Sequence, residues 1–155
     1  PDLYLVLGGP CTPYEKMQIE ELISDCKISS KVTLLEYMSR NEVTSYIVSS
    51  HILVMVRSKN MESQASFPSK LTEYLATSRP LISVNVGEIS DYLVDGVNSF
   101  LVEPGDYSKL ADKLEYVINN YELALKISER GKQLTETIFN YSYQAGRIIQ
   151  FVDTL

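Results

Sequence analysis

The sequence predicts an α/β fold, with a Rossmann-like parallel sheet flanked by helices. Apolar runs of strand length alternate with helical patterns at short intervals, as in chains of βα repeats. Two capping signals, Thr12-Pro13-Tyr14-Glu15 and Ser39-Arg40-Asn41-Glu42, mark helix starts between these runs. The 155 residues, 45% of them hydrophobic, suffice for one compact core, and a single domain is expected over residues 1–155.

The N-terminal part is predicted to contain three strands and two helices. The first capping signal predicts a helix from about Pro13 to Lys27, and the second predicts a helix that ends near Ser49. The third strand is a continuous apolar run with β-branched residues, as a buried parallel strand requires. The predicted strands are Leu3 to Leu7, Val32 to Leu35 and His51 to Val56.

The C-terminal part continues the alternation and then becomes helical. Four elements follow in order, a helix over Ser69 to Ala76, a strand over Leu81 to Val84, a short helix around Glu88 to Leu93 and a strand near Ser99 to Val102. Beyond Asp106, Leu110, Leu114, Val117 and Ile118 have the spacing of an apolar helix stripe packed on a sheet. Two further helices are predicted near Tyr121 to Gly131 and Ala145 to Leu155.

Charge and composition exclude several classes of function. A net charge of −6 and a pI near 4.8 argue against nucleic-acid binding, and no run of Lys and Arg suggests a surface for acidic lipid. Cys11 and Cys26 lack metal-ligand spacing and are expected to be reduced thiols, and His51 is assigned no role. No apolar run reaches the ~18 residues of a membrane span, and no signal peptide is recognised, so a cytoplasmic location is expected.

The stretch from Phe67 to Tyr74 carries the strongest functional signal. It begins a helix beside a loop, and helix N-termini offer unpaired N–H groups to an anion. Lys70 and Glu73 are three residues apart and therefore share one helix face, where the lysine adds charge for a phosphate and the glutamate accepts hydrogen bonds from ribose hydroxyls. The alternative is that both are ordinary surface residues of a helix.

Several motifs occur in an order that resembles the nucleotide-binding C-terminal domain of family-four, B-type-fold glycosyltransferases. The resemblance runs along nearly the whole chain and is far more specific than any one motif. Its pieces are Leu3 to Leu7 with Gly8-Gly9-Pro10, Val32 to Leu35, Phe67 to Tyr74, Arg79 to Ser83, Gly87-Glu88-Ile89, Asp95 to Val102 and Glu103 to Asp106.

The resemblance implies roles for particular residues. Lys70 would be the catalytic group, assisting departure of the nucleoside diphosphate together with backbone amides around Phe67 to Ser69. Phe67, Pro68 and Ser69 would be donor-binding residues. Glu73 would bind the ribose. Gly8 and Gly9 would line the donor cleft, although Gly-Gly-Pro is also common turn punctuation. Tyr37 and Met38 would contact the nucleobase, with ordinary packing as an equal alternative.

The sequence also departs from the family pattern. The family commonly has two glutamates separated by seven residues, and the position of the first is Ala65 here. Pro68 stands where many members have glycine, which removes one N–H from the phosphate cradle. The resemblance places a diphosphate-binding Arg or Lys pair upstream of Pro1, so this chain is expected to lack the acceptor domain and the first strand and helix of its own domain. An isolated fragment of this kind is expected to be inactive.

The leading hypothesis is therefore the donor half of an enzyme that transfers a hexose-type sugar to a glycan or lipid-linked acceptor. Retention of the anomeric configuration is expected. The donor is a nucleotide diphosphate sugar, and neither a cofactor nor an obligatory metal is expected, since no Asp-x-Asp pair occurs. Expected partners are the donor and the N-terminal domain of the same protein, but no nucleic acid; peripheral membrane association of the full-length enzyme is left open.

Three alternatives remain. One is a non-catalytic nucleotide-sugar-binding or scaffold domain, which the absence of the first glutamate would suit. Another is a flavodoxin-like or phosphoacceptor domain, which is disfavoured because the strand ending Met55-Val56-Arg57 lacks the aspartate that phosphoacceptors need. Sugar-nucleotide epimerases share the fold, but the motif spacing favours a transferase.

Overall fold

A computed structural model describes residues 2–154, which form five strands, eight α-helices and one short 3-10 helix at Ser29–Lys31. The strands are β1 (Leu5–Gly8), β2 (Val32–Leu35), β3 (Leu53–Met55), β4 (Leu81–Val84) and β5 (Phe100–Val102). The helices are α1 (Pro13–Asp25), α2 (Arg40–Ser49), α3 (Met61–Ala65), α4 (Lys70–Ala76), α5 (Ile89–Tyr92), α6 (Tyr107–Asn119), α7 (Tyr121–Glu136) and α8 (Tyr141–Val152). The predicted α/β class with parallel strands and flanking helices is confirmed.

The chain divides into two compact units, with the boundary between Tyr46 and Ile47. In the first unit, β1 and β2 pair in parallel, with Leu5 opposite Val32 and Gly8 opposite Leu35. Both predicted capping boxes form. Thr12 and Glu15 exchange reciprocal hydrogen bonds at the start of α1, and Ser39 and Glu42 do so before α2. Local sequence therefore determines where these two helices begin.

The second unit has a three-stranded parallel sheet in the order β3-β4-β5. The central strand β4 is buried along its whole length, including the polar residue Ser83, as is usual for a strand in a parallel sheet covered on both faces. The apolar stripe of α6 packs against the sheet through Val117, with Leu110 and Leu114 at its edge, and α7 adds Ala124 and Ile127. Because the three strands run in parallel, the loops that follow them emerge at one edge of this sheet.

Most predicted boundaries agree with the structure to within two residues, and the differences have local causes. No element was predicted between Val56 and Ser69, yet α3 forms there because the Asn60 side chain accepts a hydrogen bond from Ser63 N at 2.7 Å. The last helix begins at Tyr141 rather than Ala145, because Asn140 caps the N–H groups of Ser142 and Tyr143. Its predicted end at Leu155 lies outside the described residues. The expectation of a single domain stays a prediction.

Helix α8 has no buried residue, and its aromatic side chains Tyr141, Tyr143 and Phe151 are exposed. His51 packs edge-on against Tyr121, whose hydroxyl donates to the His51 carbonyl at 3.1 Å, which is a structural contact. Both cysteines are free. Within residues 2–154, each helix is too short or too polar to cross a bilayer.

Candidate functional site

The two principal residues of the predicted site contact each other. Lys70 is the first residue of α4, and its Nζ lies 2.8 Å from Oε2 of Glu73, one turn further along the same face. The two side chains are 50% and 49% exposed, so solvent screens the ion pair and its contribution to stability is at most about 1 kcal/mol. A lysine ammonium has three donors, so the bond to Glu73 leaves others for an anion. The predicted i, i+3 arrangement on one exposed face is thus present.

The loop over residues 67–70, hereafter the 67–70 loop, turns directly into α4. Ser69 already has helical backbone angles but its side chain makes no cap, and Leu71 N donates to the Pro68 carbonyl at 2.9 Å. By helix geometry, the amides of Ser69 and Lys70 precede the first intrahelical bond and have no carbonyl partner within the helix. Pro68 has no N–H to offer. The predicted phosphate cradle is therefore reduced to a short run of amides and the Lys70 ammonium.

Arg57 holds the residue that precedes this loop. It follows β3, and its guanidinium donates from Nη1 to the Ser66 carbonyl at 3.1 Å and from Nη2 to the Ser66 hydroxyl at 2.8 Å. The Ser66 hydroxyl in turn donates to the Glu62 carbonyl in α3 at 2.7 Å. A planar, forked guanidinium is suited to such a two-point contact. The end of β3 and the 67–70 loop are thereby connected.

Three aromatic rings meet at Phe67, the first residue of this loop. Phe67 lies edge-on to Tyr92, with centroids 5.8 Å apart and planes at 87°, and it packs at 5.3 Å from Phe139. Tyr92 and Phe139 are themselves 5.0 Å apart. These separations and inclined angles are those that aromatic quadrupoles favour. We refer to Phe67, Tyr92 and Phe139 as the aromatic cluster.

In the first unit, the structure brings Gly8, Gly9 and Met38 together. Gly9 N donates to the Leu35 carbonyl at 3.0 Å, and a Cβ at Gly8 would lie only 2.4 Å from the Met38 Cε. The absence of a side chain at Gly8 therefore lets Met38 pack directly on the backbone. This contact matches the alternative in which Met38 has an ordinary packing role. Tyr37 is 92% exposed, so packing does not explain it.

Charged groups near Tyr37 pair with each other. Glu36 forms an ion pair with Lys16 of α1. Hydrogen bonding to this carboxylate raises the pKa of Lys16, and the same bond lowers the pKa of Glu36. Both groups stay charged at neutral pH, and this arrangement is structural.

The second unit also contains a cleft of about 300 Å³ where β3, β4 and β5 end. Lys70 and Glu73 do not line it, so the predicted site residues lie on the surface outside this cleft. Its charged lining residues are Arg57, Lys59, Glu103 and Asp106.

The strands of each unit are parallel, and the candidate residues lie in the loop after β1 and in the 67–70 loop after α3. This arrangement is that of the open α/β class, whose members bind ligands beyond the carboxyl ends of their strands. The family model described as Glycosyl transferases group 1 matches residues 1–134, and the chain belongs to this family.

Curated relatives agree with the family assignment. An uncharacterised glycosyltransferase of Methanocaldococcus jannaschii is 32% identical over 108 residues, which is 69% of this chain and 29% of the relative. The N-acetyl-alpha-D-glucosaminyl L-malate synthase of Bacillus anthracis is 25% identical over 99% of this chain and 36% of its own length. The chain thus spans about a third of the length of these relatives.

Solved structures share the fold. HepE of Anabaena, crystallised in complex with UDP, superposes with a TM-score of 0.83 at 17% identity over 100% of this chain and 42% of its own. The C-terminal domain of the group 1 glycosyltransferase LpcC from Francisella tularensis gives a TM-score of 0.72 at 20% identity, over 86% of this chain and 83% of that domain. The fold is accordingly that of the C-terminal domain of a B-type glycosyltransferase.

Sequence reasoning named Phe67 as a site residue but missed the residues that contact its loop, Arg57, Tyr92 and Phe139. Arg57 was considered only as the end of a strand that lacks a phosphoacceptor aspartate, and the two aromatic residues follow no recognisable spacing. Phe139 also lies beyond residue 134, where the family match ends.

Proposed function

We propose that this chain is the donor-binding part of an enzyme that transfers a sugar from a nucleotide diphosphate sugar to a glycan or lipid-linked acceptor, with retention of anomeric configuration. The family match over residues 1–134 carries the proposal, and the Lys70–Glu73 pair at the start of α4 supplies matching chemistry. HepE of Anabaena, which was crystallised with UDP-glucose as well as UDP, shares the fold.

In the proposed reaction, the bond between the anomeric carbon and the diphosphate oxygen breaks, and its electron pair moves onto the departing nucleoside diphosphate. The oxygen of an acceptor hydroxyl forms the new bond to the anomeric carbon, and its proton passes to the departing diphosphate oxygen. Lys70 and the amides of Ser69 and Lys70 stabilise the negative charge that develops on the diphosphate, which is an electrostatic contribution of the oxyanion-hole kind. Glu73 accepts hydrogen bonds from the ribose hydroxyls. We propose that no cofactor and no obligatory metal take part.

The acceptor-binding site and further cations for the diphosphate are proposed to lie in the rest of the full-length enzyme. The 155-residue chain alone is therefore expected to bind the donor without turnover. The roles of Gly8, Gly9, Tyr37 and Met38 toward the donor stay predictions. A cytoplasmic location of the full-length enzyme is likewise part of the proposal.

Titration of the chain with UDP, GDP and ADP, followed by amide chemical shifts, tests the proposal. Saturable binding of one nucleotide is expected, weakened by both Lys70→Ala and Glu73→Ala. Lys109→Ala is a matched control, because Lys109 also forms an exposed i, i+3 ion pair, 3.6 Å from Asp106 at the start of α6. Binding that neither site variant weakens would contradict the assigned site. Unchanged shifts with all three nucleotides at millimolar concentration would contradict donor binding by this chain.

One observation favours a second candidate, a domain that binds nucleotide sugar without transferring it. Ala65, the last residue of α3, stands where the family commonly has its first glutamate and cannot contact a transferred sugar through a carboxylate. Hydrolysis and transfer assays on the full-length protein distinguish the two candidates. Binding without either reaction would support the non-catalytic role, and Ala65→Glu is the variant that tests whether the lost carboxylate is the cause.

A further inference from the structure

The position of the 67–70 loop depends on contacts from three distant segments. Arg57, which follows β3, holds Ser66 through two hydrogen bonds, and the next residue, Phe67, packs between Tyr92 at the end of α5 and Phe139 between α7 and α8. Two consecutive backbone positions are thus fixed immediately before Pro68. The proline ring restricts φ, so this constraint passes on to Ser69 and Lys70.

Hydrogen bonds hold the backbone of the two residues whose rings contact Phe67. The Asn98 side chain donates to the Tyr92 carbonyl at 3.0 Å and accepts from Val94 N at 2.8 Å, which ties down the end of α5. Phe139 N donates to the Leu134 carbonyl at 2.8 Å, at the point where α7 ends. None of these hydrogen bonds involves a residue of the 67–70 loop.

Helix α7 and the Asn98 segment are packed unusually closely. A Cβ at Gly131 would lie 2.4 Å from the Asn98 carbonyl oxygen, so only glycine permits the observed approach. Asn98 holds Tyr92 and α7 leads to Phe139. The Gly131 contact therefore brings α7 close to the segment that holds Tyr92.

We infer that Tyr92 and Phe139 are positioning residues for donor binding, holding the 67–70 loop so that the Ser69 and Lys70 amides and the Lys70 ammonium face the diphosphate together. This inference rests on the proposed function. Its physical reason is that fixed donors gain affinity by avoiding the ordering cost that a mobile loop would incur on binding. The family match ends before Phe139, so this residue's role comes from the ring contacts alone.

The test compares variants that remove a ring with variants that keep it. Tyr92→Leu and Phe139→Leu remove ring contacts while keeping apolar volume, and Tyr92→Phe keeps the ring. Phe151→Leu is the matched control, because Phe151 is a phenylalanine of α8 with 65% of its surface exposed. Amide hydrogen exchange is read at Leu71, whose N–H is bonded to Pro68, and at the buried strand β4 as a measure of global stability.

In the two ring-removing variants, we expect the Leu71 amide to exchange roughly tenfold faster relative to the amides of β4. This factor corresponds to the loss of one or two aromatic pairs. UDP, or whichever of UDP, GDP and ADP the chain binds, should be held roughly tenfold more weakly. Tyr92→Phe and Phe151→Leu should behave as wild type in both measurements. A ring variant that fails to fold, shown by equally fast exchange in β4, is replaced by the other ring variant.

The outcomes separate this inference from the proposed function. Unchanged Leu71 exchange would overturn the positioning role even where wild type binds nucleotide. Faster exchange with unchanged nucleotide affinity would also overturn it, because the loop order would then not serve binding. Faster exchange in a chain that binds none of the nucleotides would overturn the proposed function and with it the phosphate role of the loop.

Discussion

Lys70 Nζ lies 2.8 Å from Glu73 Oε2, so the cation proposed for the phosphate and the carboxylate proposed for the ribose form one pair on α4. This pairing makes the two roles interdependent. Glu73 holds the Lys70 ammonium on the exposed face where it is needed, but its negative charge also repels a bound phosphate. Removing the carboxylate should therefore have effects of opposite sign on different parts of the donor.

Glu73→Ala is expected to reduce discrimination between UDP and 2′-deoxyUDP, because a site that binds a hydroxyl through a fixed acceptor rejects the analogue that lacks it. Inorganic pyrophosphate should be bound up to about fivefold more tightly, since Lys70 no longer pairs with a carboxylate. Calorimetric titration of the wild type and the variant with all three ligands measures both effects. Equal losses for UDP, 2′-deoxyUDP and pyrophosphate would contradict separate roles for the two residues.

Gly131→Ala is expected to destabilise the chain by about 1–3 kcal/mol, because the new Cβ would lie 2.4 Å from the Asn98 carbonyl oxygen and overpacking outweighs the helical preference of alanine. Gly146→Ala is the control. Gly146 is also inside a helix, α8, but its added Cβ meets nothing within 4 Å, so this variant should be more stable by about 0.5–1 kcal/mol. Urea unfolding measures both changes, and effects of the same sign would show that the close contact does not determine stability.

Arg57→Ala should lower the free energy of unfolding by about 1–3 kcal/mol, because it removes two charge-assisted hydrogen bonds to Ser66. Ser66→Ala loses only the hydroxyl and should cost about 0.5–1.5 kcal/mol. A double-mutant cycle isolates the coupling between the two side chains. Strict additivity of the two losses would mean that the guanidinium–hydroxyl bond contributes nothing to stability.

The two capping carboxylates should make the stability of the first unit sensitive to acid. The backbone hydrogen bond from Thr12 and then its hydroxyl lower the pKa of Glu15, and the hydroxyl of Ser39 and then its amide lower the pKa of Glu42. Since the pKa values are lower in the folded state, this contribution is complete above the unfolded-state pKa and is lost as the pH falls through the folded-state pKa.

The double variant Glu15→Gln, Glu42→Gln should therefore lose less stability than wild type when the pH falls below about 5. Glutamine still offers an amide oxygen to the same N–H groups, so the variant removes the charge and keeps an acceptor. Unfolding of both proteins at pH 7 and at acid pH gives the comparison. Parallel stability curves would show that the caps do not depend on ionisation. Glu115→Gln, at an exposed position in α6, is the control.

The sequence was sufficient where structure depends on neighbours along the chain. The capping boxes at Thr12 and Ser39 predicted the starts of α1 and α2, because their hydrogen bonds join residues three apart. The strand predicted over Leu81–Val84 has the bounds of β4. The i, i+3 spacing of Lys70 and Glu73 likewise predicted their shared face. Helix α3 was not predicted, because a five-residue helix begun by one asparagine side chain has too short a pattern to be recognised.

By itself, the sequence determined the fold class, the main elements, the family resemblance and the candidate pair on α4, all of which follow from short-range spacing and motif order. Only the tertiary structure decided what surrounds the 67–70 loop. The contacts between Arg57 and Ser66, between Gly131 and Asn98, and within the aromatic cluster join segments up to 72 residues apart, from Phe67 to Phe139. No period or local motif encodes such contacts, because they exist only after the sheet and its helices have packed.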